Sequence, residues 1–227
     1  MMQAFKYGHN TKQILHDIAN DRGVSRLIVI MRHSERHYDH DNAINEPFMG
    51  LTESGKALAC EWGAALPAGT AVGFFSSYIG RCIETAYLMD KGYVRQGGET
   101  RHNTLEQTLS PYYVRDVHRL FKDYTTEAGF FRQWFAGDIQ TDIIAPPKTI
   151  AQDMAGFLKQ QVSAENSGAP RLSIGITHDW NLYVARHHLL GLAYDAHGKV
   201  EYLDGIAVYE KGGQVYVVAH GTEPMEI

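Results

Sequence analysis

The residues best equipped for chemistry stand together at positions 32–36, Arg32, His33, Ser34, Glu35 and Arg36. Two arginines flanking a histidine make a poor metal site, because guanidinium charge repels a cation and lowers the proton affinity of the imidazole. They suit a phosphate well. The planar guanidinium binds phosphate oxygens in pairs, and a histidine held neutral between cations is a competent nucleophile toward phosphorus. Such a group needs a rigid platform, and an apolar run, Leu27-Ile28-Val29-Ile30-Met31, leads straight into it. A β-branched run bounded by polar residues reads as a strand buried on both faces. In open α/β sheets the ligand crevice lies beyond the carboxyl ends of the strands, where Arg32 and His33 fall.

The remaining elements alternate in kind. Residues 11–22 space Ile14, Leu15 and Ile18 at helical intervals, with Gly23 as the expected end cap. A polar loop over 37–50 follows the first strand. Thr52 is placed to cap a helix that runs to about Leu66 and stops at Pro67. A second short strand is expected over 72–75, then a helix bearing Arg81 to about Lys91. Residues 93–147 are the least patterned and hold Tyr112, Tyr113, Phe121, Tyr124, Phe130, Phe131, Trp134 and Phe135. This stretch, with helices near 115–122 and 125–136, reads as an insertion capping the site and choosing the leaving group. For most of its aromatics the plainer role is burial against the core. A helix over 149–162, a polar linker at 165–170, a third buried strand at 172–176 and a helix over 180–190 follow. Strands at 206–209 and 215–219 around Gly212-Gly213 read as a terminal hairpin. Strands alternating with helices predict an α/β sandwich.

MRHSER followed by LTESGKALA resembles the opening of the histidine phosphatase superfamily, the phosphoglycerate mutase and acid phosphatase group. That family begins with Arg-His-Gly and then Leu-Thr-x-x-Gly; Arg32, His33, Leu51, Thr52 and Gly55 match. FSSYIGRCIETA is similar to the family's Ser-Ser-x-x-x-Arg-x-x-x-Thr-Ala and brings in Arg81, and ITHDWN resembles the His-Asp-x-Asn of the acid phosphatase branch at His178 and Asp179. Four separated matches in the right order make a specific signal. The resemblance implies a three-layer α/β/α sandwich with a mostly parallel sheet, phosphoglycerate mutase-like, as one domain over 1–227 with its cap insertion at about 93–147.

It also implies roles. His33 is the expected nucleophile, forming a phosphohistidine, with Arg32, Arg81 and His178 donating to the equatorial oxygens. Arg36 repeats a further arginine of the acid phosphatase branch and is expected on the phosphate; its plainer role is pairing with Glu35 at the surface. Ser34 replaces the usual glycine, and its hydroxyl either donates to the ligand or does nothing. Leaving-group protonation needs a carboxylic acid. Asp179 is what the His-Asp pair implies, and Glu106, in the place where the mutase branch carries its acid, is the rival. Glu106 otherwise reads as a solvated loop carboxylate. No metal or other cofactor is expected: the alternating His37, Asp39, His40 and Asp41 read as a solvated loop, and the family chemistry needs none.

Composition sets the outer bounds. A chain of 227 residues with 44% hydrophobic and 21% charged content suits one enzyme domain. A net charge of -5 gives no basic footprint, so no nucleic-acid partner is expected, and attraction for a small phosphorylated substrate must be local to the arginines. Cys60 and Cys82 fall in helical patterns and read as reduced thiols. MMQAFKYGHN shows no secretory leader and no run approaches a membrane span, so a cytoplasmic location without membrane attachment is expected. This departs from the acid phosphatase branch, whose members are typically exported and disulfide-bonded. The leading expectation is a phosphatase of small phosphomonoesters. A phosphoglycerate mutase-like phosphotransferase and a phospho-ligand binding protein without catalysis are the alternatives. Composition does not bear on oligomeric state.

Overall fold

A computed structural model describes residues 6–39, 43–101, 103–124, 127–163 and 170–227. Its centre is a mixed seven-stranded sheet in the order β3-β2-β4-β1-β5-β6-β7, from β1 (Val24–Arg32), β2 (Val72–Ser76), β3 (Thr104–Leu105), β4 (Leu172–Thr177), β5 (Gly205–Lys211), β6 (Gln214–Ala219) and β7 (Met225–Glu226). The first four are mutually parallel, and β5 to β7 extend the sheet antiparallel from β1. The helices are α1 (His9–Ala19), α2 (Glu53–Ala64), α3 (Gly80–Arg95), α4 (Val117–Asp123), α5 (Glu127–Ala136), α6 (Pro147–Val162), α7 (Asp179–Leu190) and the short α8 (Tyr194–His197).

The layering follows from the period of two along β1. Ile28 and Ile30 point into a cluster with Ile150, Met154 and Leu158 of α6 and Leu182 of α7. Leu27, Val29 and Met31 point the other way, onto Ile14 of α1, Trp62 of α2 and Met89 of α3. Both faces of the strand are covered, which is why the run contains no polar residue before Arg32.

Boundaries differ from expectation where capping decides them. Asn20, not Gly23, closes α1, donating from its side-chain amide to the His16 carbonyl at 2.8 Å. Gly23 instead enters β1 in a local turn, its amide donating to Asp21 Oδ1 at 2.8 Å. α6 starts at Pro147, where a missing N–H costs nothing. Gly212 and Gly213, both at positive φ (64° and 84°), make the two-residue turn of the β5–β6 hairpin. The aromatics of the 93–147 segment are mostly core: Tyr113, Phe131 and Trp134 are fully buried, and Phe130 and Phe131 pack their rings on Trp180 of α7 at 4.7 and 5.7 Å. They anchor the helix that begins at Asp179. Cys60 and Cys82 are both free thiols, and among the described residues no helix is long and apolar enough to cross a membrane.

The start of α2 fits the loop after β1 too closely for any side chain. A Cβ at Gly55 would fall inside the carbonyl of Glu35, which accepts from the Thr52 amide at 3.1 Å. Gly55→Ala should therefore push the helix off the loop and destabilise the protein by roughly 1–3 kcal/mol. The expected readout is a melting point lower by about 2–12 °C in a thermal scan; an unchanged melting point would show that the approach is not constrained.

Candidate active site

Strand register assembles the site. Arg32 pairs with Thr177 across β1 and β4, Ser76 with Ile176 across β2 and β4, and Ser76 with Leu105 across β2 and β3. The residues at and just beyond these pairs, Arg32, His33, Ser77, Glu106 and His178, therefore leave the sheet along one edge. Arg81 reaches the same edge from the first turn of α3, whose entry is fixed by the Ile79 amide donating to Ser77 Oγ at 3.2 Å.

At the centre Arg81 addresses both histidines. Its Nε–H donates to His33 Nε2 at 3.0 Å, one terminal nitrogen donates to His178 Nδ1 at 3.2 Å, and the other to the Glu46 carbonyl at 3.0 Å. Arginine has no acceptor, so these contacts fix the tautomers of the neutral imidazoles. His33 carries its proton on Nδ1, donated to the Ser34 carbonyl at 2.8 Å, and presents an unprotonated Nε2. His178 carries its proton on Nε2 and donates it to Ser77 Oγ at 2.8 Å. The rings lie 5.6 Å apart.

Arg32 is clamped on several sides. It donates to the Val200 carbonyl at 2.8 Å, pairs with Asp179 at 2.9 Å, and lies over the Tyr202 ring with its guanidinium carbon 4.3 Å from the centroid. The Tyr202 hydroxyl meets that of Tyr38 at 2.6 Å. The turn supplying Val200 and Tyr202 also pairs with the Arg32 backbone, through Leu203 N–H to Arg32 O at 3.1 Å and Arg32 N–H to Asp204 O at 2.9 Å. Leu203 holds a left-handed φ of 60° to do so.

The other expected residues fall as follows. Arg36 pairs with Glu46, not Glu35, and covers the Tyr38 ring at 3.9 Å; Glu35 pairs instead with Lys6 at 2.7 Å. The Nε atoms of Arg32 and Arg36 are buried without a hydrogen-bond partner. Ser34 is turned away from the histidines: its hydroxyl donates to the Gly55 carbonyl at 2.7 Å and its amide to Thr85 Oγ1 at 3.1 Å, so its side chain splices the loop to α2. Asp179 accepts from its neighbour's amide, Trp180 N–H, at 3.0 Å besides pairing with Arg32. Glu106 accepts from both the amide and the hydroxyl of Thr108 at 2.9 Å and sits at the end of β3, three strands from β1. Of the 37–41 loop, His40 and Asp41 lie outside the described residues. Among the described residues no group of three or more His, Cys, Asp and Glu is placed to hold a metal.

Tyr202, Tyr38 and Glu46 were not foreseen. They reach Arg32 and Arg36 from distant or irregular segments, and only Tyr38, in the polar loop next to Arg36, lay near enough in sequence to be suspected.

Burial and surrounding charge set the protonation states. Burial, then Arg81, His178 and Arg32, hold His33 well below its ordinary pKa, and burial with Arg81, Arg32 and Arg36 does the same to His178. Burial pushes the Cys82 thiol, 3.5 Å from His178, up to about 12, so it is not a nucleophile.

No family model and no curated sequence matches this chain significantly. Solved structures do. A provisionally assigned alpha-ribazole-5'-P phosphatase from Escherichia coli superposes with a TM-score of 0.58 at 13% identity, covering 89% of this chain and 99% of that one. A phosphoglycerate mutase from Bacillus anthracis gives 0.55 at 13% identity over 88% and 95%. The fold is phosphoglycerate mutase-like. A mycobacterial glucosyl-3-phosphoglycerate phosphatase gives 0.53 at 17% identity, covering 81% and 89%. The architecture is thus one that carries both phosphatases and a mutase.

The depressed histidines make stability depend on pH with a definite sign. Below the ordinary pKa of 6.5 the unfolded chain protonates His33 and His178 while the folded protein keeps them neutral. Their contribution is complete above pH 6.5 and is lost as pH falls from there toward the folded values, by up to about 1.4 kcal/mol per pH unit for each proton. Urea midpoints measured from pH 8 to 5 should fall below 6.5, and the fall should be shallower in His178→Gln. Equal slopes in the two proteins would contradict these assignments.

Proposed function

We infer that the protein hydrolyses small phosphomonoesters through a phosphohistidine on His33. The observation that carries this reading is the Nδ1–H of His33 held on the Ser34 carbonyl, which turns the Nε2 lone pair toward Arg81, with the Arg32 charge close by. In the first step Nε2 attacks phosphorus and the bond to the ester oxygen breaks, while Asp179 gives that oxygen a proton. In the second, water attacks phosphorus as Asp179 takes its proton, the P–N bond breaks, and phosphate leaves with His33 restored.

The contacts support a further detail. Arg81 covers the Nε2 lone pair of His33. A phosphate dianion draws the guanidinium onto its oxygens, as it does the unpartnered Nε atoms of Arg32 and Arg36, and so uncovers the nucleophile. His178 donates to the phosphate from Nδ1 in its other neutral tautomer, with the Ser77 hydroxyl turning to donate to Nε2.

His33→Ala should abolish turnover while the melting point stays within a few degrees of wild type; residual activity above a few per cent would sink the phosphohistidine route. Between the two acids, Asp179→Asn should cut hydrolysis of an alkyl phosphate by roughly 10²–10⁴ and of 4-nitrophenyl phosphate far less. Glu106→Gln should affect both little. The reverse pattern would move the donor to the end of β3.

A further inference from the structure

The charge of the site and the nature of its rim point to the organic half of the substrate. Among the described residues, three guanidiniums, of Arg32, Arg36 and Arg81, stand against two carboxylates, Asp179 on Arg32 and Glu46 on Arg36, leaving one net positive charge; both histidines are held neutral. Glu106 at the end of β3 lowers the total further. This is enough for one phosphate. A second anionic group, such as the carboxylate of a sugar acid or another phosphate, would face paired arginines and additional carboxylates. Lys6 is already committed to Glu35 at 2.7 Å.

Exposed aromatic residues stand on the segments that carry the site's contacts. Tyr38, Phe48 and Tyr78 are 45%, 82% and 52% exposed. Single exposed aromatics are ordinary, but these three come from two separate segments, the 37–50 loop and the turn after β2, each tied to the reacting groups. The Tyr38 hydroxyl lies 3.4 Å from Arg32. Phe48 ends the 3₁₀ helix Ala43–Phe48, whose Glu46 carbonyl accepts from Arg81 at 3.0 Å. Tyr78 follows Ser77, the partner of His178, and its amide donates to Ser110 Oγ at 2.9 Å. Tyr38 is held in place by the Tyr202 hydroxyl and the Arg36 guanidinium, so its ring is presented rather than loose.

We propose that the substrate is a phosphomonoester whose only charged group is the phosphate and whose body is a planar aromatic system, bound between Phe48 and Tyr78 above the arginine floor. The proposal rests on the phosphohistidine reading and adds the class of leaving group. Neither ring belongs to the catalytic machinery and both side chains are exposed, so their removal leaves the fold intact.

The test compares wild type with Phe48→Ala, Tyr78→Ala and the double variant on 2-naphthyl phosphate, glycerol 2-phosphate and 3-phosphoglycerate, with inorganic phosphate as inhibitor. Because an aryl phosphate has the better leaving group, the variants rather than the substrates carry the comparison. The double variant should lose about tenfold or more in kcat/KM on 2-naphthyl phosphate, through KM. Its kcat/KM on glycerol 2-phosphate and its inhibition constant for phosphate should stay within twofold. Wild type should use 3-phosphoglycerate worst of the three. Equal losses on both neutral-bodied substrates, no loss on the naphthyl ester, or efficient turnover of 3-phosphoglycerate would each overturn the aromatic assignment while leaving the phosphohistidine reading standing. A wild type that neither hydrolyses any of the three nor is protected from unfolding by phosphate would overturn both.

Discussion

The arrangement depends on one guanidinium. Arg81 sits between two imidazoles it can only donate to, so each must turn an unprotonated nitrogen toward it, and their remaining protons must find acceptors elsewhere. Those acceptors, the Ser34 carbonyl and Ser77 Oγ, lie in the loops just beyond β1 and β2. A sheet in which β1, β2 and β4 ended out of register could not satisfy both. The tautomers, the depressed proton affinities and the strand register are thus consequences of placing one cation between two histidines at a buried sheet edge.

A cluster of three arginines at such an edge is self-repelling, and the surrounding elements contain it. Asp179 and Glu46 each neutralise one guanidinium, and aromatic faces, Tyr202 beneath Arg32 and Tyr38 beneath Arg36, cover the flat sides where hydrogen bonds cannot form. The left-handed Leu203 brings Val200 and Tyr202 onto Arg32. On the opposite face the aromatic cluster of α5 locks α7, whose first residue is Asp179, and Tyr113 holds the Asn181 side chain at 2.9 Å. The same Asn181 donates to the Thr108 carbonyl at 3.1 Å, joining α7 to the segment that carries Glu106. Much of the 93–147 segment therefore acts on the carboxylates from behind.

What could be read from the sequence was local. The apolar run before Arg32, the Thr52 cap, which accepts from the Gly55 amide at 2.9 Å, and the helix carrying Arg81 are set by residues within a few positions of one another. Partners of Arg32 and Arg36 were not legible, because they depend on contacts between distant segments: Tyr202 and Arg32 are 170 positions apart and meet only through the β1–β5 pairing. Arg36 shows how adjacency misleads. Glu35 is next to it in sequence, but successive residues of an extended chain point to opposite sides, so Glu35 turns to Lys6 and Thr52 while Arg36 turns to Glu46. Ser34 was ambiguous for the same reason, since whether its hydroxyl faced a ligand or Gly55 depended on where α2 would dock.

That docking explains how a residue larger than glycine is tolerated at position 34. The hydroxyl satisfies the Gly55 carbonyl, and Gly55 in turn has no side chain to hold α2 away from Glu35. The Ser34 amide meanwhile donates to Thr85, whose own hydroxyl donates to the Arg81 carbonyl at 2.7 Å. The extra atoms at Ser34 are therefore spent on the helix side, and its carbonyl remains free to take the Nδ1 proton of His33. Ser34 thus anchors the loop to α2 and α3 without disturbing the contact that sets the His33 tautomer.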